Sequence, residues 1–578
     1  MAQITTASTV HDVVVIGSGA GGGTVTKVLA DLGVSVLLME AGPMLSMSDL
    51  KEHMWPYNVP HRGAGPKGEA YSGRPTGFTY SATFGGAQLA GEPYTVAPGS
   101  DFSWFRSRIL GGRTNHYGRI TLRFADYDFK PRSRDGLGFD WPISYEDLAP
   151  YYDKAETFIG VTGTVEKIRS APDGIFETPA ALRVHDTLVQ RSCAKLGIRA
   201  VPARQAVITS PKNGRPACHY CGQCGRGCMT ASNYASSYVQ IFPAMKTGRV
   251  QVLANAMARE LVTDATGRVT AVSYIDKTDG TEKQVRCRTV VLAASACESS
   301  RLLLNSRSAR HPQGLANSSG TVGRYLMDSV GSSMSAGVPA LSGMPRYNSD
   351  GYGSHLYVPW WGWDKHNELG FPRGYHIEVG GGYGMPGIGS FTGVVNRTEG
   401  YGVKMKQAIR DEYGTSIGLS GRGEMIPNEQ SFCEIDPDVK DRWGIPVLRF
   451  HWAWSDHELN QVRHMQRTFR AILEGLGGQV AAGGGRGGGR GGASVDPNRP
   501  PISRGGAIIH EVGTVRMGDD PKTSPLNKYC QAHEVKNLFV ADGAPFVSNP
   551  DKNPTHTIVA LAWRTAEYLA EELRKANV

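Results

Sequence analysis

The chain has 578 residues, 40% hydrophobic and 20% charged, a composition that excludes wholesale disorder, collagen and coiled coil and assures a sizeable core. At about 150 residues per domain this length allows up to four domains, with two interleaved ones equally compatible. Lys and Arg outnumber Asp and Glu by 62 to 53, and a net charge of +9 on so large a surface does not by itself imply nucleic acid; it favours acidic or membrane-surface neighbours.

No run approaches the length of apolar chain a membrane-spanning helix needs, so no direct membrane span is expected. Residues 1–11 carry neither a basic nor an apolar signal region, and export of this chain would need a partner. A first strand reads from His11 to Ile16, its unbroken apolar run suiting a strand buried on both faces of a parallel sheet. Gly17-Ser-Gly19-Ala-Gly21-Gly22-Gly23 follows, then a helical stretch to about Leu32 and a second strand from Val34 to Met39 that ends at Glu40. This is a complete βαβ dinucleotide-binding unit. Gly17 permits the tight turn, Gly19 lets the backbone reach a pyrophosphate, Gly22 lets helix and strand pack closely, and Glu40 is placed to accept from a ribose hydroxyl. The motif by itself does not choose between NAD and FAD.

Residues 43 to 105 read as irregular, and Gly111-Gly112-Arg-Thr-Asn115-His116-Tyr117-Gly118 suits a loop lying against a flat cofactor. Ser144-Tyr-Glu-Asp147 is a capping box for a helix starting near Glu146. Residues 250 to 294 alternate as strands through Val262, Val269, Val272 and Val285, and a helix is expected over Ala296–Leu304. Residues 330 to 450 read as β-rich and aromatic, and Trp360, Trp361 and Trp363 are open to packing or to stacking on a sugar ring. Ser455 caps an amphipathic helix through Leu459, Val462, Met465, Phe469 and Ile472. The tract from Gly483 to Gly492, GGGRGGGRGG, resembles RNA-binding RGG segments, but one short copy between structured regions reads as a flexible surface loop, and no nucleic-acid partner is expected.

Four of the nine cysteines, Cys218, Cys221, Cys224 and Cys228, fall within eleven residues in a C-x2-C-x2-C-x3-C run, the bacterial ferredoxin spacing except that Met229 stands where the proline would be. Such spacing points to one iron–sulfur cluster rather than to zinc, which usually joins two separated CxxC knuckles. Near the C-terminus stand His510-Glu-Val-Gly513-Thr514-Val-Arg516-Met517-Gly518, then Asp542-Gly543, then Asn553-Pro554-Thr555-His556. A last helix is expected from Pro554 to about Lys575, with Asn553 as its N-cap and Pro554 at its first position.

In this order the motifs resemble those of the glucose-methanol-choline (GMC) flavin oxidoreductases over nearly the whole chain. The segments 111–118 and Glu424-Met-Ile-Pro-Asn428 look most similar to bacterial sugar dehydrogenases, including FAD-dependent glucoside 3-dehydrogenases and pyranose-oxidase-like enzymes. The resemblance implies an α/β GMC fold: a composite Rossmann-like FAD-binding domain (1–125, 204–330 and 505–578) and an α+β substrate domain on an antiparallel sheet (126–203 and 331–504). It implies FAD as cofactor and hydride transfer from a secondary hydroxyl of a sugar or glycoside, C3 being the expected carbon. His510 is then the base and Asn553 its partner on the substrate oxygen, with His556 structural. Gly111, Gly112, Asn115, His116, Asp542, Gly543, Pro554 and Thr555 join Gly17, Gly19, Gly22 and Glu40 at the cofactor. Some relatives hold the flavin covalently through a His at the position of His116; a noncovalent contact is expected here.

Some similar enzymes hold a three-iron cluster on cysteines spaced as Cys218, Cys224 and Cys228 are, with Cys221 as an extra thiol or a fourth ligand. The expected partners are a small subunit bearing an export signal and a cytochrome c electron acceptor. The expected location is periplasmic by co-export, with a cytoplasmic enzyme as the alternative. A pyranose-type oxidase or a gluconate-type dehydrogenase without a working cluster is the alternative activity.

Overall fold

The computed structural model describes residues 5–46, 49, 85–86, 89–225, 227–345, 351–365, 368–383, 391–480 and 500–578. The Gly-rich tract at 483–492 lies outside the described residues. The chain begins with β1 (Thr5–Ile16), α1 (Ala20–Asp31), β2 (Val36–Met39) and a short β3 (Thr95–Val96), followed by α2 (Tyr145–Ile159), α3 (Val184–Lys195) and β4 (Val201–Pro202). The middle of the chain holds β5 (Val250–Leu253), β6 (Ala256–Thr263), β7 (Val269–Asp276), β8 (Thr281–Leu292) and α4 (Ala296–Asn305). Next come β9 (Val330–Gly337), β10 (Leu356–Val358), β11 (Tyr375–Gly381), α5 (Val403–Glu412), β12 (Ser416–Gly423), β13 (Phe432–Lys440) and β14 (Pro446–His451). The last elements are α6 (Asp456–Glu474), β15 (Gln479–Val480), β16 (Leu538–Val540) and α7 (Thr555–Arg574).

A seven-stranded sheet runs β5-β2-β1-β8-β7-β6, with β16 added beside β8. The contacts of β1 with β2 and β8 are parallel, Val13 facing Val36 and Thr289, whereas β8 meets β7 antiparallel along its first half. Side-chain alternation sends Val13 and Val15 into one apolar cluster with Val25, Val28 and Leu29 of α1 and Ala562, Ala566 and Leu569 of α7. Val14 and Ile16 enter the main core on the other face. Burial on both faces is why this strand is an unbroken apolar run, and each such Val contributes about 1.5–3 kcal/mol.

A six-stranded sheet, β15-β9-β12-β11-β10-β4, is antiparallel at every pairing and is backed by α6, whose Val462, Met465, Phe469 and Ile472 are buried. Its strands come from residues 201–480 and those of the first sheet from 5–292 and 538–540. The β13-β14-β3 sheet joins Thr95–Val96, in the segment assigned from sequence to the cofactor part, to β14 of the substrate part, so this division is not clean in space. The two large sheets also share the main apolar core.

Ser144 caps α2 by accepting from the Asp147 amide, as its capping box implies. Helix α7 differs by one residue from its expected start: Pro554, not Asn553, is the N-cap, and no side chain caps it. The Asn553 amide is occupied elsewhere. The Trp360 ring packs against Trp361, Phe371 and Tyr375 in the core, whereas Trp363 is exposed with Arg169 over its ring at 4.5 Å, and none of the three is among the residues bordering the large cavity.

Candidate active site

A cavity of about 1890 Å³ lies between the two large sheets, bordered by Gly17, Gly19 and Glu40 at one end and by Glu378, Arg422, His510 and Asn553 at the other. Helix α1 opens onto it with Gly19 as N-cap, no side-chain cap and no acid in its first turn, so its amides and the positive end of its dipole face the cavity. A Cβ built on Gly19 meets nothing within 4 Å, and one on Gly112 meets only Gly19 backbone at 3.6 Å and beyond, so these faces are open. Gly22 is different: a Cβ there would sit 1.8 Å from the Gly17 carbonyl oxygen, which makes it a packing glycine. Glu40 accepts from Ser18 Oγ (2.5 Å) and the Gly42 amide (2.8 Å), and burial raises its pKa.

His116 borders the cavity, its Nε2 held 2.9 Å from Ser107 Oγ, and Gly543, Pro554 and Thr555 border it too. Gly111 and Asn115 lie behind this wall: the Asn115 amide donates to the carbonyls of Leu110 and Gly112, and the Gly111 amide donates to Ser18. Through these bonds both residues brace the loop whose next glycine, Gly112, borders the cavity. Asp542 borders the cavity, but its carboxylate is taken up by the Ser295 and Ala544 amides and Ser299 Oγ, so it anchors the start of α4.

The reactive end is built by α7, β11, β12 and the turn Ile508–His510. His510 Nδ1 lies 2.9 Å from Ser329 Oγ, and Asn553 Nδ2 donates to Glu378 Oε1 (3.1 Å) while facing His510 Nε2 at 3.4 Å. Because Glu378 can only accept, the donor side of the Asn553 amide is fixed, its other N–H faces Nε2, and Nδ1 carries the ring proton. Among the described residues Asn553 Oδ1, which is buried, has no hydrogen-bond partner. Burial, with Arg422 nearby, lowers the His510 pKa to about 3 against the opposing pull of Glu378, so the imidazole is neutral. Arg422 pairs with Glu378 at 2.9 Å and holds its carboxyl well below the usual range despite burial. Arg113 pairs with buried Glu511, and Asp328 is pushed up by burial and the Glu511 charge.

Glu378, Arg422, Asp328 and Ser329 were absent from the sequence-based set. His376 and Glu378, two apart in a strand of apolar neighbours, form a polar pair on one strand face and were the available signal. His556 Nε2 meets Glu156 at 3.1 Å, well buried, and is structural.

The cysteine segment is close by. Tyr117, Gly118 and Ser354 border the cavity, while Gly351 and Gly353 hydrogen-bond to the cysteine segment and Arg119 acts electrostatically on Cys224. Burial pushes the Cys218 thiol up to about 12, and the Cys218 sulfur accepts from the Tyr220 amide at 3.4 Å. Among the described residues no three His, Cys, Asp or Glu side chains are arranged as a closed metal-ligand set, so the expected cluster ligands are neighbours in the fold without forming one.

Family models for GMC oxidoreductases match residues 12–331 and 427–562. The chain belongs to the GMC oxidoreductase family. This GMC oxidoreductase is 31% identical to the 2-methyl-1,2-propanediol dehydrogenase of Mycolicibacterium austroafricanum, over 98% of this chain and 96% of that one. It is 27% identical to the fructose dehydrogenase large subunit of Gluconobacter japonicus, over 98% of each. A formate oxidase variant from Aspergillus oryzae, solved to follow FAD modification, superposes with a TM-score of 0.64 at 14% identity, covering 98% and 99% of the two chains. The fold is that of the GMC flavoenzymes, and the protein is an FAD-dependent oxidoreductase of alcohol or sugar donors. The open glycine faces at Gly19 and Gly112 and the uncapped start of α1 fit such a cofactor. No described helix is long and apolar enough to cross a membrane.

Proposed function

We propose that this enzyme is a dehydrogenase that oxidises a secondary hydroxyl of a sugar or glycoside, at C3, to a ketone, with His510 as general base. The observation that carries this reading is the pair His510 and Asn553: a half-buried, neutral imidazole whose Nε2 faces an amide N–H across 3.4 Å, both at the wall of the cavity that Gly17, Gly19 and Glu40 enter from the other end. A substrate oxygen seated there donates its proton to His510 Nε2 and accepts from Asn553 Nδ2. His510 takes the hydroxyl proton as the carbon gives up its hydride, so CH–OH becomes C=O with one proton on the protein. FAD, when bound, supplies the hydride acceptor. The Asn553 N–H holds the developing negative charge on oxygen, and the Glu378 carboxylate, 3.6 Å from His376 and paired to Arg422, compensates the imidazolium that forms. The uncapped start of α7 adds a positive dipole end at the same place.

A three-iron cluster on Cys218, Cys224 and Cys228 is part of the proposal. Its chemistry is one-electron transfer outward, and it favours a dehydrogenase over an oxidase. Supporting it, Arg119 is fully buried, and its guanidinium meets the carbonyls of Thr114, Asn115 and Tyr117, the Asn233 amide oxygen, the Tyr117 ring at 5.1 Å and the Tyr238 side chain, all of them neutral, and among the described residues it pairs with no carboxylate. A buried cation of this kind calls for an anion such as thiolates near Cys224. A noncovalent FAD, an export-bearing small subunit, a cytochrome c acceptor and a periplasmic location complete the reading.

The test is anaerobic bleaching of the bound flavin by a donor panel: methyl glucosides, C-glycosides, fructose, gluconate and 1,2-diols. Bleaching by a glucoside, with a 3-keto product, supports the proposal. Bleaching by the diols alone replaces it with a small-alcohol dehydrogenase, and rapid reoxidation by O2 replaces the dehydrogenase with an oxidase.

A further inference from the structure

The segment carrying His510 is zipped to the chain that leads into β9. Met327 and Val512 exchange both backbone hydrogen bonds, each at 3.0 Å. One residue on, the Asp328 carboxylate accepts from the amides of His510 (2.9 Å), Ser329 (2.9 Å) and Ile508 (3.1 Å). Ser329 Oγ then meets the His510 ring at Nδ1, 2.9 Å away. Asp328 and Ser329 are both buried. The turn they grip is not one the chain favours by itself: Ile509 has φ +68°, the left-handed region that β-branched residues avoid. Ile508 and Ile509 border the cavity, so the strain is stored at the reactive site.

We propose that Asp328 and Ser329 are positioning residues for proton transfer at His510, Asp328 folding the strained turn that aims the ring and Ser329 fixing the tautomer that leaves Nε2 bare. The proposal rests on His510 being the base. A neutral imidazole carries its proton on either nitrogen, and only the Nδ1–H form can receive a substrate proton at Nε2. The Asn553 N–H opposite Nε2 sets that form, and Ser329 Oγ, a hydroxyl able to take either role, holds it by accepting Nδ1–H. Three N–H donors converge on the two oxygens of Asp328, an arrangement an asparagine cannot reproduce, because its amide offers one oxygen and sets an NH2 against a donor.

The experiment uses nitrogen-15 histidine-labelled holoenzyme, with the His510 signal identified by its loss in His510→Asn. The wild type should show a protonated Nδ1 and a bare Nε2. Ser329→Ala and Ser329→Cys should shift the proton toward Nε2, while Ser329→Thr, which keeps the hydroxyl, should retain the wild-type signature. In stopped flow with whichever donor bleaches the flavin, Ser329→Ala should slow flavin reduction about tenfold or more with little change in KM, and Ser329→Thr should recover most of the loss. Asp328→Asn should speed amide exchange at residues 508–510 and slow flavin reduction as well. Flavin content and thermal melting report whether each variant is folded, and if Ser329→Ala is not, Ser329→Cys and Ser329→Thr carry the comparison. A wild-type ring protonated at Nε2, or Ser329→Ala reducing flavin at the wild-type rate, overturns the proposal. If His510→Asn itself reduces flavin normally, the base reading falls and the proposal with it. That outcome is distinct from an inactive His510→Asn beside a fully active Ser329→Ala, which removes the positioning role alone.

Discussion

At the scale of single residues, desolvation keeps His510 in the deprotonated form that a base needs, at a cost in proton affinity. With its pKa lowered to about 3, chiefly by desolvation, the ring stays neutral across the range in which an exposed histidine would titrate. The sign follows: the folded pKa lies below the unfolded one, so the stability His510 contributes is present above about pH 6.5 and is lost as pH falls toward 3. Flavin reduction should therefore show no acid limb near pH 6.5, and a pH profile with such a limb would remove His510 as the titrating base. His510→Asn should lower the flavin-reduction rate about 10²–10⁴-fold with flavin content unchanged. Asn553→Ala should cost about 10²–10³-fold in kcat, the loss typical of one oxyanion-type donor. It leaves α7 intact, because Pro554 rather than Asn553 is the cap, and an unchanged melting temperature would show the two effects to be separate.

At the scale of elements, glycines that the sequence presents as one motif divide by what surrounds them. A Cβ at Gly21 would lie 1.5 Å from the Ala541 carbonyl oxygen and one at Gly22 1.8 Å from that of Gly17, whereas Gly19 faces open space. Gly22→Ala should then lower stability by about 1–3 kcal/mol or more through overpacking. Gly19→Ala should melt as the wild type does yet retain less FAD, and a chemical melt beside the flavin-to-protein ratio separates the two. The sequence makes the β1-α1-β2 unit legible because apolar runs, glycine spacing and Glu40 are all local. The capping boxes of α2 and α6 are legible for the same reason. What stayed hidden depends on distant register: β11 and β12 pair antiparallel so that His376 faces Arg422, and only this places Arg422 beside Glu378 and Glu378 beside Asn553. A second long-range pairing, the Met327–Val512 bridge, brings Asp328 and Ser329 to a turn nearly two hundred residues later, and the Glu378 contact occupies the Asn553 side chain beside the cap position that its local sequence favours.

At the scale of the whole molecule, the cavity and the cysteine segment share two walls. The stretch 117–119 borders the cavity with Tyr117 and Gly118 and reaches the Asn233 amide through Arg119 (3.5 Å), and Asn233 in turn donates to the Cys224 carbonyl at 3.5 Å. The stretch 351–354 accepts from the Gly222 amide at its start (2.9 Å) and borders the cavity at Ser354. A redox group at the cysteines would thus lie one residue layer from the cofactor, whereas zinc or idle thiols would gain nothing from that placement. Anaerobically purified wild-type enzyme should hold iron as well as flavin, about three atoms per chain for a three-iron cluster. Cys218→Ser, Cys224→Ser and Cys228→Ser should each lose the iron and keep the flavin, because none of these side chains borders the cofactor cavity. Cys221→Ser decides the cluster type: retention of the iron makes Cys221 a spare thiol, and its loss makes Cys221 a fourth ligand. Wild-type enzyme with flavin and no iron would remove the cluster altogether, and the electrons of the oxidised sugar would then have to leave from the cofactor cavity itself, to O2 or to a quinone.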